Sequence, residues 1–253
     1  MPRESKKAKR ERALEVCRRM DQLYPQAACA LDFHNAFTLL IAVMLSAQTT
    51  DKAVNKVTPE LFSRWGTPQA MAEANVDEVE VVIHSIGFHH NKARNCVMIA
   101  RQLMSEHGGE VPCEKAALLA LPGIGPATAA GVRVFAFDEP DVYLETNVRA
   151  VFLHELFAGR TDVPDKELVP LVEATCPERD VRSWYYALLD YGAHLKKTLP
   201  NPARRSRHYV RQSAFEGSHR QKRAFLVRRL LEGAATAAEL ADDLSAAERA
   251  AGR

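Results

Sequence analysis

The chain has 253 residues, of which 47% are apolar and 26% charged, as in an ordinary globular protein of one large domain or two lobes. No apolar run approaches the ~20 residues of a membrane span, and no apolar core follows the basic N-terminus as in a secretory signal. We therefore expect no membrane partner and a cytoplasmic location, associated with the nucleoid if the source is bacterial. Five scattered cysteines without a CxxC spacing favour reduced thiols and no metal site.

Helical periodicity organises almost the whole sequence. Apolar residues recur at helical spacing between Gly, Pro and Asn breaks, and no alternating strand pattern of useful length occurs. The sequence therefore predicts an all-α protein. In chain order, the predicted helices are 8–24, 36–46, 51–65 (with Pro59 starting or kinking a second piece), short ones opening at 67 and 76, then 91–107, 114–121, 126–137, 146–157, 165–175 and 181–195. A basic linker after Pro202 precedes a helix near 218–232 and a second near 236–244.

Charge is distributed unevenly along the chain. Residues 191–229 contain eleven Lys or Arg and one acid, Glu216, so this segment is +10 while the rest sums to −8. A basic segment on an otherwise acidic chain favours a polyanionic partner. The alternative is a solvated helix face or a tail without a partner.

The segment LPGIGPATA (residues 121–129) is the most specific local motif. It predicts two short helices joined by a tight turn, in which Gly123 and Gly125 let a DNA backbone approach closely. The second helix would direct free N–H groups and its positive dipole end at a phosphate, independently of base sequence. The alternative is a plain helical hairpin.

This motif resembles the hairpin of the helix-hairpin-helix (HhH-GPD) DNA glycosylase superfamily. Other segments resemble endonuclease III, namely LSAQTTD (45–51), VNK (54–56), IGF (86–88), NKA (91–93) and GEVP (109–112). Two later segments, TNVR (146–149) and LDYGA (189–193), look more like the adenine mismatch glycosylases.

The resemblance covers about residues 8–206 and implies a two-lobed helical fold with the hairpin at the DNA-binding face between the lobes. Residues 30–137 would form a six-helix lobe, and residues 9–29 together with 138–205 the second lobe. Residues 1–8 would be a disordered basic N-terminus, and residues 206–253 a basic helical tail. The implied partner is double-stranded DNA containing a damaged or mismatched base, bound by a monomer.

Cutting an N-glycosidic bond develops positive charge on the deoxyribose, which a fixed carboxylate stabilises. In the family an Asp has this role, and the matching residue here is Glu145, at the start of a helix whose N-terminus favours the ionised form. The alternative is a helix-capping acid without chemistry. Asp51, the nearest upstream carboxylate, is a second candidate as an acid or base-reader; its alternative is a capping or buried hydrogen-bonding role.

Three departures from the relatives bear on mechanism. The lysine that forms a Schiff base in endonuclease III corresponds to Ala127, which favours a monofunctional enzyme with a water nucleophile. The catalytic Glu of adenine glycosylases corresponds to Ala42. Both relatives usually hold an iron–sulfur cluster through four cysteines, but none follows Cys176, so we expect no cofactor. Arg204 and Arg205 would replace the phosphate contacts of the cluster loop.

Two side chains are candidates for contacts inside the opened duplex. By resemblance, Gln48 would fill the hole left by the flipped base, and Phe88 lies in the loop that supplies a wedge. The alternatives are a surface Gln and a core Phe. The other residues expected to contact DNA are Lys92, Gly123, Gly125, Thr128, Asn147 and Arg149.

The sequence therefore predicts a DNA glycosylase of base excision repair, a hydrolase of N-glycosyl bonds. An adenine glycosylase for A/G mismatches and an endonuclease III-type enzyme for oxidised pyrimidines, with residual AP lyase activity, stay open. A catalytically silent, lesion-sensing DNA-binding protein is an alternative of another class. A transcription regulator is a further one, but the helical tail lacks a convincing third helix.

Overall fold

The computed structural model describes residues 5–24, 27–209 and 216–250. Within these ranges the chain forms thirteen α-helices, one short 3-10 turn and no strand. The helices are α1 (Lys6–Leu23), α2 (Ala36–Ser46), α3 (Asp51–Trp65), α4 (Pro68–Glu73), α5 (Val76–Ile83), α6 (His89–Glu106), α7 (Lys115–Ala120), α8 (Pro126–Phe137), α9 (Thr146–Leu156), α10 (Asp165–Thr175), α11 (Val181–Thr198), α12 (His219–Glu232) and α13 (Ala237–Ala250). The predicted all-α class is confirmed. None of the described helices is long and apolar enough to cross a membrane.

A few boundaries differ from the prediction. Helix α3 runs through Pro59 as one helix. Helix α1 begins at Lys6 and so includes three residues of the segment expected to be disordered, while residues 1–4 lie outside the described ranges. Where a linker was expected, Pro202–Arg205 forms the 3-10 turn.

Two hydrophobic cores lie within the unit Met1–Tyr209. The first core is built mainly from α2 to α8, and the second from α1, α9, α10 and α11. Helix α2 belongs to both cores, because Leu40 and Ile41 pack into the first and Leu39 and Val43 into the second. Helix α8 does the same with residues on its opposite faces. These two helices therefore form the seam between the cores.

Local sequence fixes where α2 and α3 begin. The Asn35 side chain accepts from Thr38 N–H (2.9 Å) and the Thr38 hydroxyl accepts from Asn35 N–H (3.0 Å), a reciprocal cap on α2. Thr50 caps α3 by accepting from Ala53 N–H at 3.3 Å. The short connection between Ser46 and Asp51 is therefore held at both ends.

The segment after α11 packs against the rest of the first unit. Pro202, Ala203 and Ser206 are buried, and Val163 forms a bridge with Ser206. The unit ends at Tyr209. The second lobe thus extends a few residues beyond the predicted boundary at 205.

The second unit, Val210–Arg253, contains α12 and α13. Arg229 of α12 pairs with Asp243 of α13 at 2.7 Å. Helix α12 is rich in Arg and Lys, whereas the α13 sequence holds four acids and one Arg. The predicted basic tail therefore consists of a basic helix and an acidic one, and residues 206–253 together keep an excess of Lys and Arg over acids.

Candidate active site

A cleft of about 660 Å³ opens at the seam between the two cores. Its walls come from the α2–α3 connection, the first turn of α8, the first turn of α9 and one face of α11. Both candidate carboxylates, Glu145 and Asp51, line this cleft, together with Gln48 and Thr128. The structure thus brings together residues that are separated by almost a hundred positions.

Glu145 is the N-cap of α9. Its Oε1 accepts hydrogen bonds from the backbone N–H groups of Asn147 and Val148, the latter at 2.9 Å. Among the described residues Oε2 has no hydrogen-bond partner. The carboxylate therefore caps the helix with one oxygen and leaves the other available in the cleft, so capping and chemistry are compatible.

Burial raises the pKa of Glu145 above its ordinary value. The backbone N–H groups of Val148 and Asn147 oppose this rise, and so does the positive charge of Lys196. The helix N-terminus was expected to favour the ionised form, and it does so only in part. Desolvation is the larger effect.

Asp51 and Lys196 complete the charged part of the cleft. Asp51 is the first residue of α3, and although its side chain is largely exposed, its position in the cleft raises the pKa of the carboxyl by desolvation. The positive charge of Lys196, on α11, opposes this rise in pKa. Two carboxylates from different lobes therefore share one cation.

Two residues of the site, Lys196 and Tyr143, were not predicted from the sequence. Both line the cleft. Burial beside Glu145 and Asp51 raises the pKa of Tyr143, which keeps its hydroxyl neutral. The sequence does hold a signal for Lys196: it lies seven residues after Leu189, and residues seven apart share one helix face. Leu189 lines the cleft as well. Nothing comparable marks Tyr143.

The hairpin has the predicted geometry. Gly123 adopts φ 73°, and a Cβ there would lie 2.1 Å from the Asn95 side-chain nitrogen, so this position requires glycine. Gly125 caps α8 without a side-chain hydrogen bond, and a Cβ there would meet nothing within 4 Å. Pro126 has no N–H, so the first free amides of α8 belong to Ala127 and Thr128, and both residues line the cleft.

The two residues expected inside the duplex have left-handed backbones. Gln48 (φ 55°) is exposed in the α2–α3 connection. Phe88 (φ 60°) precedes α6 and is 62% exposed, so it is not a core residue. Such conformations in non-glycine residues cost free energy and cluster at functional positions.

Three residues expected to contact DNA make hydrogen bonds within the protein: Lys92 is too buried to reach DNA, whereas the DNA contacts of Arg149 and Arg205 stay predictions. Lys92 is 6% exposed and donates to the α2–α3 connection. Arg149 forms a bidentate pair with Asp165, at 2.8 and 3.2 Å. Arg205 donates to the Leu153 and Phe157 carbonyls at the end of α9. In each case the long cationic side chain satisfies acceptors that only the tertiary fold brings near.

The remaining expected contacts stay compatible with a DNA surface. Arg204 is exposed beside the internally engaged Arg205. Thr128 and Asn147 line the cleft, and the Asn147 Oδ1 is buried without a hydrogen-bond partner among the described residues. That oxygen is an unsatisfied acceptor inside the protein beside the cleft.

The two alanine positions differ in their surroundings. Ala127 lines the cleft, where a longer side chain would reach into it. Ala42 is completely buried in the first core, and the cleft wall from α2 is made by Val43 and Ser46. No carboxylate therefore enters the cleft from α2 within the described chain.

The cysteines do not fit an iron–sulfur cluster. Such clusters need four thiolates, and residues 194–205, all within the described range, contain no cysteine. Elsewhere in the described chain, no group of three or more His, Cys, Asp or Glu side chains is arranged to hold a metal ion. Burial raises the pKa of Cys96 to about 12 and of Cys176 to about 11, which favours neutral thiols.

Comparison with known proteins decides the family. Residues 41–178, more than half of the chain, match the HhH-GPD superfamily of base excision DNA repair proteins. The chain belongs to the HhH-GPD superfamily. Within this superfamily it lies in the endonuclease III-like branch.

Endonuclease III of Escherichia coli (strain K12) is 42% identical over 161 residues, which is 64% of this chain and 75% of that protein. The solved structure of a trapped endonuclease III–DNA covalent intermediate superposes with a TM-score of 0.66 at 34% identity, covering 73% of this chain and 86% of that one. A thermostable thymine-DNA glycosylase superposes with a TM-score of 0.62 at 22% identity over 72% and 87% of the chains, which shows a shared fold.

The prediction of a base-excision DNA glycosylase that binds DNA is therefore confirmed. The first turn of α8, which follows the hairpin, and the carboxylate at the α9 N-terminus both line the cleft. The fold that places them there is shared with a relative solved in complex with DNA. The family assignment favours the enzyme over a silent binder or a transcription regulator.

Proposed function

We propose that this HhH-GPD protein is a monofunctional glycosylase that works as a monomer on double-stranded DNA and hydrolyses the bond between a damaged or mispaired base and its deoxyribose. The observation that carries this proposal is Glu145, which projects into the cleft from the N-terminus of α9. A carboxylate fixed beside the sugar is what the developing positive charge requires.

The chemistry follows from the two oxygens of Glu145. Oε1 is held by backbone N–H groups, so the carboxylate is oriented before substrate arrives. Oε2 stabilises the positive sugar as the C1′–N bond breaks, and the electron pair leaves with the base. Water then adds to C1′, and the proton that it loses neutralises the base anion, so that atoms and charge balance. Asp51, with its raised pKa, is suited to hold a proton near the departing base.

Opening of the duplex is assigned to Gln48 and Phe88. An exposed aromatic side chain at the start of α6 can wedge between base pairs and lower the cost of unstacking. Gln48 can then occupy the space that the flipped base leaves. The hairpin contributes phosphate binding that does not depend on sequence.

Hydrolysis without strand cleavage is supported by Ala127, which places no amine at the start of α8. A second candidate function, AP lyase activity, is favoured by one observation, the presence of Lys196 in the same cleft. We prefer the first, because Lys196 comes from α11, whereas the attacking lysine of endonuclease III corresponds to Ala127 at the start of α8.

We further propose that no iron–sulfur cluster is needed, since the residues after α11 hold the chain in place by other means. Arg205 caps the end of α9, and Arg207 pairs with Asp162. Purified protein should be colourless, and iron and sulfide analysis should find neither in stoichiometric amount. A brown, iron-containing preparation would contradict this proposal.

The decisive experiment is a panel of duplexes carrying thymine glycol, uracil or thymine opposite guanine, or adenine opposite oxidised guanine. Each is incubated with enzyme, treated with or without alkali, and separated by size. A monofunctional enzyme gives strand breaks only after alkali, and borohydride traps no adduct. Trapping that disappears in Lys196→Met would favour the lyase. Absence of base release from every duplex would overturn the proposed activity.

A further inference from the structure

Lys92 makes three hydrogen bonds to one short stretch of chain. Its Nζ donates to the Leu45 carbonyl (2.8 Å), the Ala47 carbonyl (2.9 Å) and the Thr49 hydroxyl (2.8 Å). An ammonium has three N–H donors and no acceptor, so its capacity is filled. The acceptors are positions 45, 47 and 49, which lie on both sides of Gln48.

The backbone explains why this stretch needs support. Gln48 adopts a left-handed conformation, and at this end of α2 the regular i→i+4 pattern stops, since Ala47 N–H donates only to the Met44 carbonyl at 3.3 Å. Apart from Thr49 N–H, which donates to the Ser46 carbonyl at 2.9 Å, the connection has few internal bonds of its own. A buried cation at a helix C-terminus also meets the negative end of the helix dipole.

The same residue is joined to the wedge. Lys92 is the fourth residue of α6, and its backbone N–H donates to the Phe88 carbonyl at 3.0 Å. Lys92 therefore lies in the first turn of α6, which Phe88 caps, while its side chain holds the stretch that contains the left-handed Gln48. It links the two segments directly.

We propose that Lys92 is a positioning residue that couples Gln48 and Phe88, so that the wedge and the hole-filling side chain enter the duplex as one rigid unit. This inference rests on the proposed function and adds to it a link between two segments separated by forty positions. Lys92 itself touches no DNA, since it lies beneath the connection that carries Gln48.

The test is Lys92→Met in the full chain, on whichever lesion the wild-type enzyme processes. Methionine keeps the length and removes all three donors. We expect single-turnover base release to fall at least tenfold. The fluorescence rise of a 2-aminopurine placed beside the lesion, which reports unstacking, should shrink, while affinity for undamaged duplex changes less than twofold.

A double-mutant cycle with Gln48→Ala separates coupling from a general structural loss. If Lys92 acts through Gln48, the double variant is no more than about twofold slower than the slower single variant. If the two losses multiply, the coupling proposal is overturned. Arg94→Met is the matched control, since it removes an exposed cation from the same helix without touching the Gln48 connection, and it should leave the unstacking signal intact.

A second pair of variants covers the case in which Lys92→Met does not fold. Thr49→Val removes one acceptor of Nζ with little change of shape, and Thr49→Ser restores it. We expect Val to reduce the unstacking signal and Ser to recover it; equal signals in both would overturn the proposal. Failure of the wild-type enzyme to release any base counts instead against the proposed function, so the two failures are distinguishable.

Discussion

Glu145 combines two tasks that a substitution can separate. In Glu145→Gln the amide oxygen can still accept from Asn147 and Val148 N–H, so the cap is retained while the charge is removed. We expect base release to slow by roughly 10²–10³-fold, the usual cost of one preorganised electrostatic group. Single-turnover assays with alkali treatment measure the rate, and duplex affinity should be unchanged. Full activity would make Glu145 a cap only and direct attention to Asp51.

We expect Lys196 to shift the acid limb of the pH–rate profile, which is the pH range in which base release speeds up as Glu145 loses its proton. The active form of Glu145 is ionised, so the rate rises with pH through its pKa, and burial places that limb above the ordinary glutamate range. Lys196 lowers the pKa of Glu145, so Lys196→Met should shift the limb to higher pH. The other groups facing Glu145 are Asp51, whose carboxyl Lys196 also affects, and the neutral Tyr143.

The control for this shift is the next residue. Lys197 has the same charge, is exposed and does not line the cleft. Lys197→Met therefore removes one positive charge from α11 and should leave the limb in place. Equal shifts in both variants would mean that net charge rather than position acts on Glu145.

At the scale of elements, the hairpin allows binding to be tested apart from stability. Gly125 has an extended backbone and space for a side chain, so Gly125→Val should fold with little loss of stability. The side chain would stand between the α8 N–H groups and a phosphate. We expect duplex affinity to fall roughly 10- to 100-fold, as for one charge-assisted hydrogen bond. Fluorescence anisotropy on lesion and undamaged duplexes should give the same loss for both.

Gly123→Ala is the contrasting variant of the same hairpin. Because Gly123 has a positive φ and lies close to the Asn95 side chain, an alanine there should destabilise the fold. The thermal midpoint of this variant should therefore fall, whatever its affinity for DNA. If Gly125→Val bound DNA normally, the hairpin amides would have no role in phosphate contact.

The periodic pattern predicted the helices well because their ends carry local signals. Helix α8 was predicted and found at Pro126–Phe137, with proline opening it. The 202–205 segment carries similar signals, with Asn201 as its cap and Pro202 as its first residue, but its four-residue 3-10 turn is too short to show a helical period, and it was predicted as a linker.

The site was predicted in outline for a related reason. Glu145 and Asp51 follow from motif positions, whereas Lys196 enters the cleft only because α11 packs on α9. Lys92 was expected to contact DNA, but its side chain is buried and donates to the Leu45 and Ala47 carbonyls at the end of α2. Such acceptors belong to the backbone and leave no mark on the sequence.

At the scale of the molecule, the contribution of the second unit can be measured by truncation after Tyr209. This cut removes α12 with its Arg and Lys residues and also the acidic α13. If α12 binds phosphates, the dependence of log affinity on log salt becomes shallower by roughly 0.9 for each phosphate that the truncated protein no longer neutralises. An unchanged slope would show that the unit does not touch the DNA backbone.

The position of the cut decides whether this measurement is interpretable. Truncation at Pro202 would also remove Arg205 and Ser206, which hold the end of α9 and the Val163 bridge. That shorter chain should therefore lose thermal stability, whereas the chain ending at Tyr209 should keep it. Calorimetry on both truncated proteins checks the difference.

The sharing of α2 and α8 by the two cores has a consequence for how the enzyme denatures. Neither core can lose these helices without the other, so both should melt in a single cooperative transition. The chain has two tryptophans, Trp65 in the first core and Trp184 in the second, so Trp65→Phe and Trp184→Phe each leave one optical reporter, in opposite lobes. In each variant, the fluorescence of the remaining tryptophan should change at the same urea midpoint as the helical circular dichroism signal. Catalysis should be lost at that urea concentration as well. Separate midpoints would instead describe an enzyme whose halves dissociate before they unfold, with the cleft disrupted first.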